Sequence, residues 1–295
     1  MRMNHVRSTI LLVTVLATLA SAGQKYAANG LVLKVDPSHN SIVVSCNAIP
    51  GFMEAMTMAF GVADAKELNN LRPGTMIEFT LVVDANSSRA ESIRVHSYQG
   101  LEPDPLAARR LKLLDAASRG RASKAVSIGE VVPDFTLTGE DGRPVTLSKF
   151  RGKVVTLDFV YTRCALPNFC FRSSNNFGNL QRRFGHHLAK DLVLLTVTFD
   201  PVHDSPDVLQ KYARTWKADP NGWHFLTGSA ADVRRVCDLF GEDYFPDEAL
   251  MDHSLHTAII DRHGRLAANL EGNEFTSTQL GDLVQNLLAS AKMRR

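Results

Sequence analysis

The stretch K-V-V-T-L-D-F-V-Y-T-R-C-A-L-P-N-F-C, Lys153–Cys170, decides the fold of this chain. From Val154 to Tyr161 only Thr156 and Asp158 interrupt the apolar run. Runs of this kind are strands covered on both faces. Beyond Cys170, the spacing of Phe177, Leu180 and Phe184 predicts a helix that starts directly after the second cysteine. Cysteines between a buried strand and a helix N-terminus sit where backbone N–H groups and the helix dipole stabilise a thiolate. The thiolate is the form that binds a soft metal or attacks a disulfide.

Outward from this stretch, strands and helices alternate. D-F-T-L-T and G-E-D-G-R-P-V-T-L, with its D-G turn, read as a hairpin. D-L-V-L-L-T-V-T-F-D is a second buried strand. Ser205-Pro206 opens a helix, with serine at the N-cap and proline at the first helical position. A-D-V-R-R-V-C-D-L-F is another helix, H-T-A-I-I-D-R-H-G-R-L a strand and turn, and Thr278 to Ala291 a closing helix. A βαβ core with an added hairpin is a thioredoxin-like α/β arrangement.

The first half has a different texture. G-L-V-L-K-V, S-I-V-V-S, M-I-E-F-T-L-V-V and A-E-S-I-R-V are short runs separated by D-P, P-G and D-A-N-S-S turn signals. They predict a small all-β barrel of the OB type. Within it lies A-M-T-M, with Met56 and Met58 two residues apart. On a strand both thioethers project from one face, because side chains alternate with period two. Thioethers and thiolates are the soft donors that select Cu(I). The rival reading is that the methionines simply fill the barrel.

The chain of 295 residues, 44% hydrophobic and 22% charged, is long enough for two cores. A net charge of +2 without a basic run argues against a nucleic-acid partner. Arg2 and Arg7, an apolar stretch Ile10–Leu19 and Ala20-Ser21-Ala22 have the layout of an export signal cleaved before Gly23. An uncleaved anchor is the alternative and the only membrane attachment expected. No cysteine stands at the cleavage site, so lipidation there is not expected. The expected organisation is a signal peptide over 1–22, a β-barrel over 23–98, a linker over 99–127 with one basic amphipathic helix from Leu106 to Ala117, and the α/β domain over 128–295. Cys46, Cys164, Cys170 and Cys237 are the four cysteines. In an oxidising compartment Cys164 and Cys170 could form a structural disulfide. Cys237, beside Val236 and Leu239, reads as a core residue.

Several motifs in the second half resemble the Sco/SenC family of copper metallochaperones. They are V-P-D-F-T-L (Val132–Leu137), G-K-V-V (Gly152–Val155), Y-T-R-C (Tyr161–Cys164), F-D-P-V-H-D-S-P (Phe199–Pro206), L-T-G-S (Leu226–Ser229) and D-H-S (Asp252–Ser254). The resemblance implies a copper ion held by Cys164, Cys170 and a distant histidine. His253 matches that histidine in register with the strand Ala258–Ile260 and the turn at Gly264; His256 is the rival. The family usually has three residues between its cysteines and a proline after each. Here five intervene, and Ala165 and Phe171 replace those prolines. Closing the longer loop costs little extra entropy. Asp200 and Asp204 match the family's acidic loop and read as structural groups or groups behind the ligands, since carboxylate is a hard donor.

C-N-A-I-P-G-F-M-E-A-M-T-M-A-F (Cys46–Phe60) with L-R-P-G-T-M-I-E-F-T (Leu71–Thr80) resembles CusF-like periplasmic copper- and silver-binding domains, which are five-stranded OB barrels. In that family a histidine completes the methionine pair and a tryptophan caps the metal. Here Cys46 stands near the histidine position and Met53 near the tryptophan. The implied site is Cys46, Met56 and Met58, with Met53 as a fourth thioether.

Together the resemblances imply an exported metallochaperone in the periplasm or on the outer face of the inner membrane. It would carry Cu(I), with Cu(II) as an alternative at the second site. The implied acceptor is a cuproprotein such as the copper subunit of a cytochrome oxidase, and one domain could load the other. Two other functions fit the residues. One is a thiol–disulfide oxidoreductase with Cys164 as attacking thiolate; the other is copper or silver buffering for resistance.

Overall fold

The computed structural model describes residues 24–84, 87–96, 125–247 and 250–290. The expected signal segment and the helix expected at Leu106–Ala117 lie outside the described residues.

The first domain is a closed barrel of β1 (Gln24–Asp36), β2 (Ser41–Cys46), β3 (Met56–Val62), β4 (Met76–Asp84) and β5 (Ser87–Val95), in the order β1-β2-β3-β5-β4. Only β3 and β5 pair in parallel. M-T-M therefore lies on a strand, as its copper reading requires. β1 begins earlier than its apolar run: Gln24 to Asn29 pair with β4 despite being small or polar. Gly30 lets β1 and β2 approach closely, because a Cβ there would lie 2.5 Å from the Ser45 carbonyl.

The second domain holds β6 (Thr136–Gly139), β7 (Pro144–Thr146), β8 (Val154–Val160), β9 (Leu192–Thr198), β10 (Trp223–Thr227), β11 (Tyr244–Asp247), β12 (Leu250–His253), β13 (His256–Ile260) and β14 (Leu266–Glu271). Its helices are α1 (Cys170–Arg183), α2 (Pro206–Thr215), α3 (Ala230–Phe240) and α4 (Ser277–Ser290). A seven-stranded sheet runs β14-β13-β8-β9-β10-β6-β7, with β8, β9 and β10 parallel. Every residue of β8 and β9 is buried. Their side chains alternate between two cores. Leu157, Phe159 and Val197 pack with Val233, Val236, Cys237 and Phe240 of α3. Leu192 and Leu194 pack with Phe177 and Leu180 of α1, Leu209 of α2 and Leu283 of α4. Cys237 is thus a core residue. Pro206 sits in the first turn of α2 as expected, but Ser205 makes no side-chain capping bond.

The barrel is fixed to the second domain by its outer face. Leu31 and Leu33 of β1 are buried in the same core as α1 and α4, and Val43 of β2 packs against it. Burying such a leucine contributes roughly 1.5–3 kcal/mol. Val32, between them, faces the barrel core instead. Along α4, Gln279, Asp282 and Asn286 form a polar stripe with helical spacing. The Gln279 amide donates to the Ser45 carbonyl (3.1 Å), and the Asn286 amide donates to the Leu33 carbonyl (3.2 Å). One oxygen of Asp282 accepts from Ser45 Oγ (2.7 Å) and Thr57 Oγ1 (3.1 Å), while the other accepts from Arg183 of α1 (2.6 Å). His96 Nε2 lies 2.7 Å from Glu274 Oε2 at the start of the last connection.

Candidate metal centres

The dithiol centre is built where β8 ends. Asp204 is fully buried and accepts from the Thr162 N–H (3.1 Å), Thr162 Oγ1 (2.5 Å) and Thr198 Oγ1 (2.5 Å). It pins the Y-T-R-C turn to the end of β9. Asp200 accepts from Arg163 (2.7 Å) and lies 2.8 Å from His203 Nδ1. Burial opposes its ionisation, but these two partners hold its carboxyl below the ordinary range. Both aspartates thus serve the framework of the site.

Cys164 is half-buried, and Cys170, the first residue of α1, is buried. Both are free thiols. Across the five-residue loop Cys164 packs against the core cluster that holds Cys170. The Cys170 thiol is the largest cause that lowers the Cys164 pKa, to about 5; burial opposes it, and the Cys170 N–H and Tyr161 hydroxyl add to it. The same pairing and its own burial push Cys170 well above the ordinary thiol value. One sulfur is therefore an exposed-side thiolate and the other a buried thiol.

His253 ends β12, in the small β11–β12 hairpin that the sequence pattern did not reveal. Its ring packs against Phe199 (4.6 Å between centroids), Tyr161 (6.0 Å) and Phe169 (6.1 Å), the last two flanking the cysteines. Nδ1 lies 2.5 Å from the Ser254 carbonyl and 3.4 Å from Glu242 Oε1. Nδ1 thus carries the hydrogen, and Nε2 keeps the lone pair a metal would use. Burial disfavours the imidazolium, yet the Glu242 partner outweighs it and raises the His253 pKa. Among the described residues, no three His, Cys, Asp or Glu side chains already converge as a coordination sphere. His253 stands beside the dithiol, one ring contact away, rather than closed onto it. His256 gives its backbone N–H to the other oxygen of Glu242 (2.9 Å), and its ring lies over Gly241. Fully buried Glu242 thus joins both histidines. A single glutamate after a helix-ending glycine offers no sequence signal of that role.

In the barrel, Cys46 pairs directly with Met56 and Val44 with Met58 across β2 and β3. Ile42, Val44 and Cys46 face the barrel core, as do Phe60 and Val62. By alternation Met56 and Met58 share that face with Cys46. Cys46 is 2% exposed, whereas Met56 is 51% exposed at the barrel's mouth. Met53 is brought to the same end by a bridge with Ile49 and packs against the barrel core. Beside it Phe52 stacks on Tyr26 at 4.0 Å. Burial pushes the Cys46 thiol up to about 12. The set of one thiol and two or three thioethers fits a soft monovalent metal, and Cys46 must lose its proton to bind it.

A dithiol at the junction of a buried strand and a helix, in a seven-stranded α/β sheet behind an OB-type barrel, defines a two-domain thioredoxin-like protein with soft-donor sites. The sequence model of the SCO1/SenC family matches residues 124–288, more than half of the chain, and the chain belongs to that family. A second model, described as the copper-binding periplasmic protein CusF, matches residues 25–95. An SCO2-like protein of Rickettsia prowazekii is 28% identical over 138 residues, 44% of this chain and 64% of that protein. An SCO1 protein homolog of Bacillus subtilis is 31% identical over 99 residues, 34% of this chain and 49% of that one. The chain thus spans less than two thirds of the length of these two relatives. A solved structure titled as Bradyrhizobium japonicum ScoI with copper bound is 23% identical and covers 54% of this chain and 99% of its own, with a TM-score of 0.46. Among the described residues, no helix is long and apolar enough to cross a membrane.

Proposed function

We propose that this protein is a copper metallochaperone of the cell envelope. Copper is its cargo. Cys164, Cys170 and His253 would hold one ion, and Cys46, Met56, Met58 and Met53 a second. Membership of the SCO1/SenC family and the CusF match over the barrel support copper binding. The observation that carries the reading is the pairing of two soft-donor sets in one chain: Cys164 packed against the cluster that holds Cys170, and Cys46 opposite Met56 on one barrel face. At the dithiol, the Cys164 thiolate would engage the incoming ion, Cys170 would give up its proton, and Nε2 of His253 would complete the set. The acceptor is a cuproprotein, by family a cytochrome oxidase copper subunit, reached in the periplasm or at the outer face of the inner membrane.

Metal stoichiometry tests this on the reduced protein titrated with Cu(I) without oxygen. Two coppers are expected in the wild type, and one in each of Cys164→Ser/Cys170→Ser and Met56→Leu/Met58→Leu. A single copper, lost only in the methionine variant, would remove the metal role of the second domain.

A second reading has an observation of its own. A thiolate near pKa 5 beside a buried thiol is also the asymmetry of a dithiol oxidoreductase. Disulfide turnover with a dithiol reductant, undiminished in His253→Ala, would favour it.

A further inference from the structure

The connection from β14 to α4, residues 272–276, is tied to each segment that carries a donor of the dithiol site. The Gly272 N–H donates to the carbonyl of Leu255 (2.8 Å), two residues beyond His253. Its neighbour Asn273 donates through Nδ2 to the carbonyl of Asn168, in the loop between Cys164 and Cys170. Arg172, two residues after Cys170, donates to the carbonyls of Phe275 (3.3 Å) and Glu274 (3.5 Å). Two adjacent residues of one connection therefore hold the histidine segment and the cysteine loop relative to each other.

Burial singles out Asn273 among these ties. It is 6% exposed, yet its amide reaches a loop that is exposed from Ala165 to Asn168. A buried amide is tolerated where it is hydrogen-bonded, and here the acceptor is the backbone of that loop. Inside the loop, the Phe169 N–H bonds the Leu166 carbonyl (3.2 Å), which curls the segment without fixing it to the domain. Phe169 directly follows the anchored carbonyl, and its ring meets the His253 ring at 6.1 Å. Where Asn168 is held thus decides where Phe169 stands, and with it the gap between His253 and the two sulfurs. A donor set has to be held within roughly 0.5 Å of its productive geometry by groups that are themselves locked in place.

From this geometry we infer that Asn273 is a positioning residue of the dithiol copper site: through the Asn168 carbonyl it sets the distance at which His253 can join Cys164 and Cys170 around one ion. This rests on the copper reading above and adds to it the residue that fixes the third ligand. Asn273 itself touches neither sulfur nor imidazole. The barrel is held from the same side by a different residue. The Gln279 amide donates to the Ser45 carbonyl (3.1 Å) and to Asn47 Oδ1 (3.3 Å), on either side of Cys46. Loss of the Asn273 amide therefore leaves the barrel site as it is.

The test uses the full reduced chain carrying Met56→Leu/Met58→Leu, so that added Cu(I) reports on the dithiol. Affinity is read by competition with a Cu(I) chelator, and coordination number from the copper X-ray absorption edge. The parent should be three-coordinate. Adding Asn273→Ala should weaken Cu(I) binding about tenfold and turn the edge two-coordinate, as His253→Ala does. Glu274→Ala, on the same connection but with its side chain on His96, should leave both readouts unchanged. Barrel uptake of Cu(I) in Cys164→Ser/Cys170→Ser should be the same with and without Asn273→Ala, which checks that the chain is folded. Should alanine fail that check, Asn273→Asp, which keeps the shape and loses the donor, takes its place; failure of both would make Asn273 a structural residue and overturn the inference. So would an edge that stays three-coordinate in the variant, even with weakened affinity, or one already two-coordinate in the parent; both outcomes leave the metallochaperone reading standing. A parent that takes up no Cu(I) would remove that reading and this inference with it.

Discussion

The two candidate sites use the same element and hold it in opposite states. Cys164 is partly exposed and ionises near pH 5, because Cys170 and backbone N–H groups at a helix start donate to it. Cys46 is sealed in a barrel wall with only the Val44 carbonyl within reach (3.9 Å), and its thiol stays protonated to about 12. The lesson is that donor softness is set by the element, but readiness is set by desolvation and by the hydrogen bonds offered to the charged form. The dithiol presents a charge before copper arrives. The barrel presents none, and a metal bound there would have to displace the Cys46 proton.

The largest expected effect tests the dithiol half of that contrast. Cys170→Ala should weaken Cu(I) binding there by more than the roughly 10–100-fold typical of losing an outer partner. It should also move the alkylation midpoint of Cys164 upward from about 5, since its largest stabilising partner is gone. An unmoved midpoint would break the account of the asymmetry. Next comes pH. In Cys164→Ser/Cys170→Ser, barrel affinity for Cu(I) should tighten about tenfold per pH unit, roughly a hundredfold from pH 6 to 8, as each ion displaces the Cys46 proton. Adding Cys46→Ala should flatten that slope in a competition titration.

Glu242 separates the sites further, since it contacts the His253 ring itself, whereas Asp282 behind the barrel donors reaches the barrel only through the hydroxyls of Ser45 and Thr57. Glu242→Gln should cost the dithiol site about tenfold or more in copper affinity and leave the barrel site unchanged. The smallest effect concerns stability. Asp158 is fully buried on β8, and burial pushes its carboxyl up to about 7. A raised carboxyl pKa means that the folded state holds a proton the unfolded chain has released. Its contribution is therefore fully present below the unfolded value near 4 and is lost as pH rises through about 7. Asp158→Asn should stabilise the protein by about 2 kcal/mol at pH 8 and by much less at pH 5, read from denaturant midpoints.

The architecture was legible wherever one physical pattern dominated. β8 and β9 announced themselves as apolar runs because both faces are covered, and α3 and α4 fell where their periodicity placed them. The β11–β12 hairpin was not legible: Y-F-P-D-E-A-L-M-D-H carries a proline and acids, and no alternation marks it. Yet it positions His253. Glu242 and Asp282 were hidden for the same reason, since each looks like a solvated acid until distant elements close over it. One signal of docking was present in the sequence. G-L-V-L-K-V does not alternate, and a free barrel strand should; Leu31 and Leu33 are the residues that leave the barrel to enter the second core.

That strand has a thermodynamic consequence. Because β1 belongs to two cores at once, neither can loosen along it without wetting leucines of the other. The barrel and the α/β sheet should therefore unfold as a single cooperative unit, with one melting transition for two motifs that read as separable. An ion bound at either site would raise the same transition temperature, and a barrel cut out at its motif boundaries would expose a greasy stripe and self-associate.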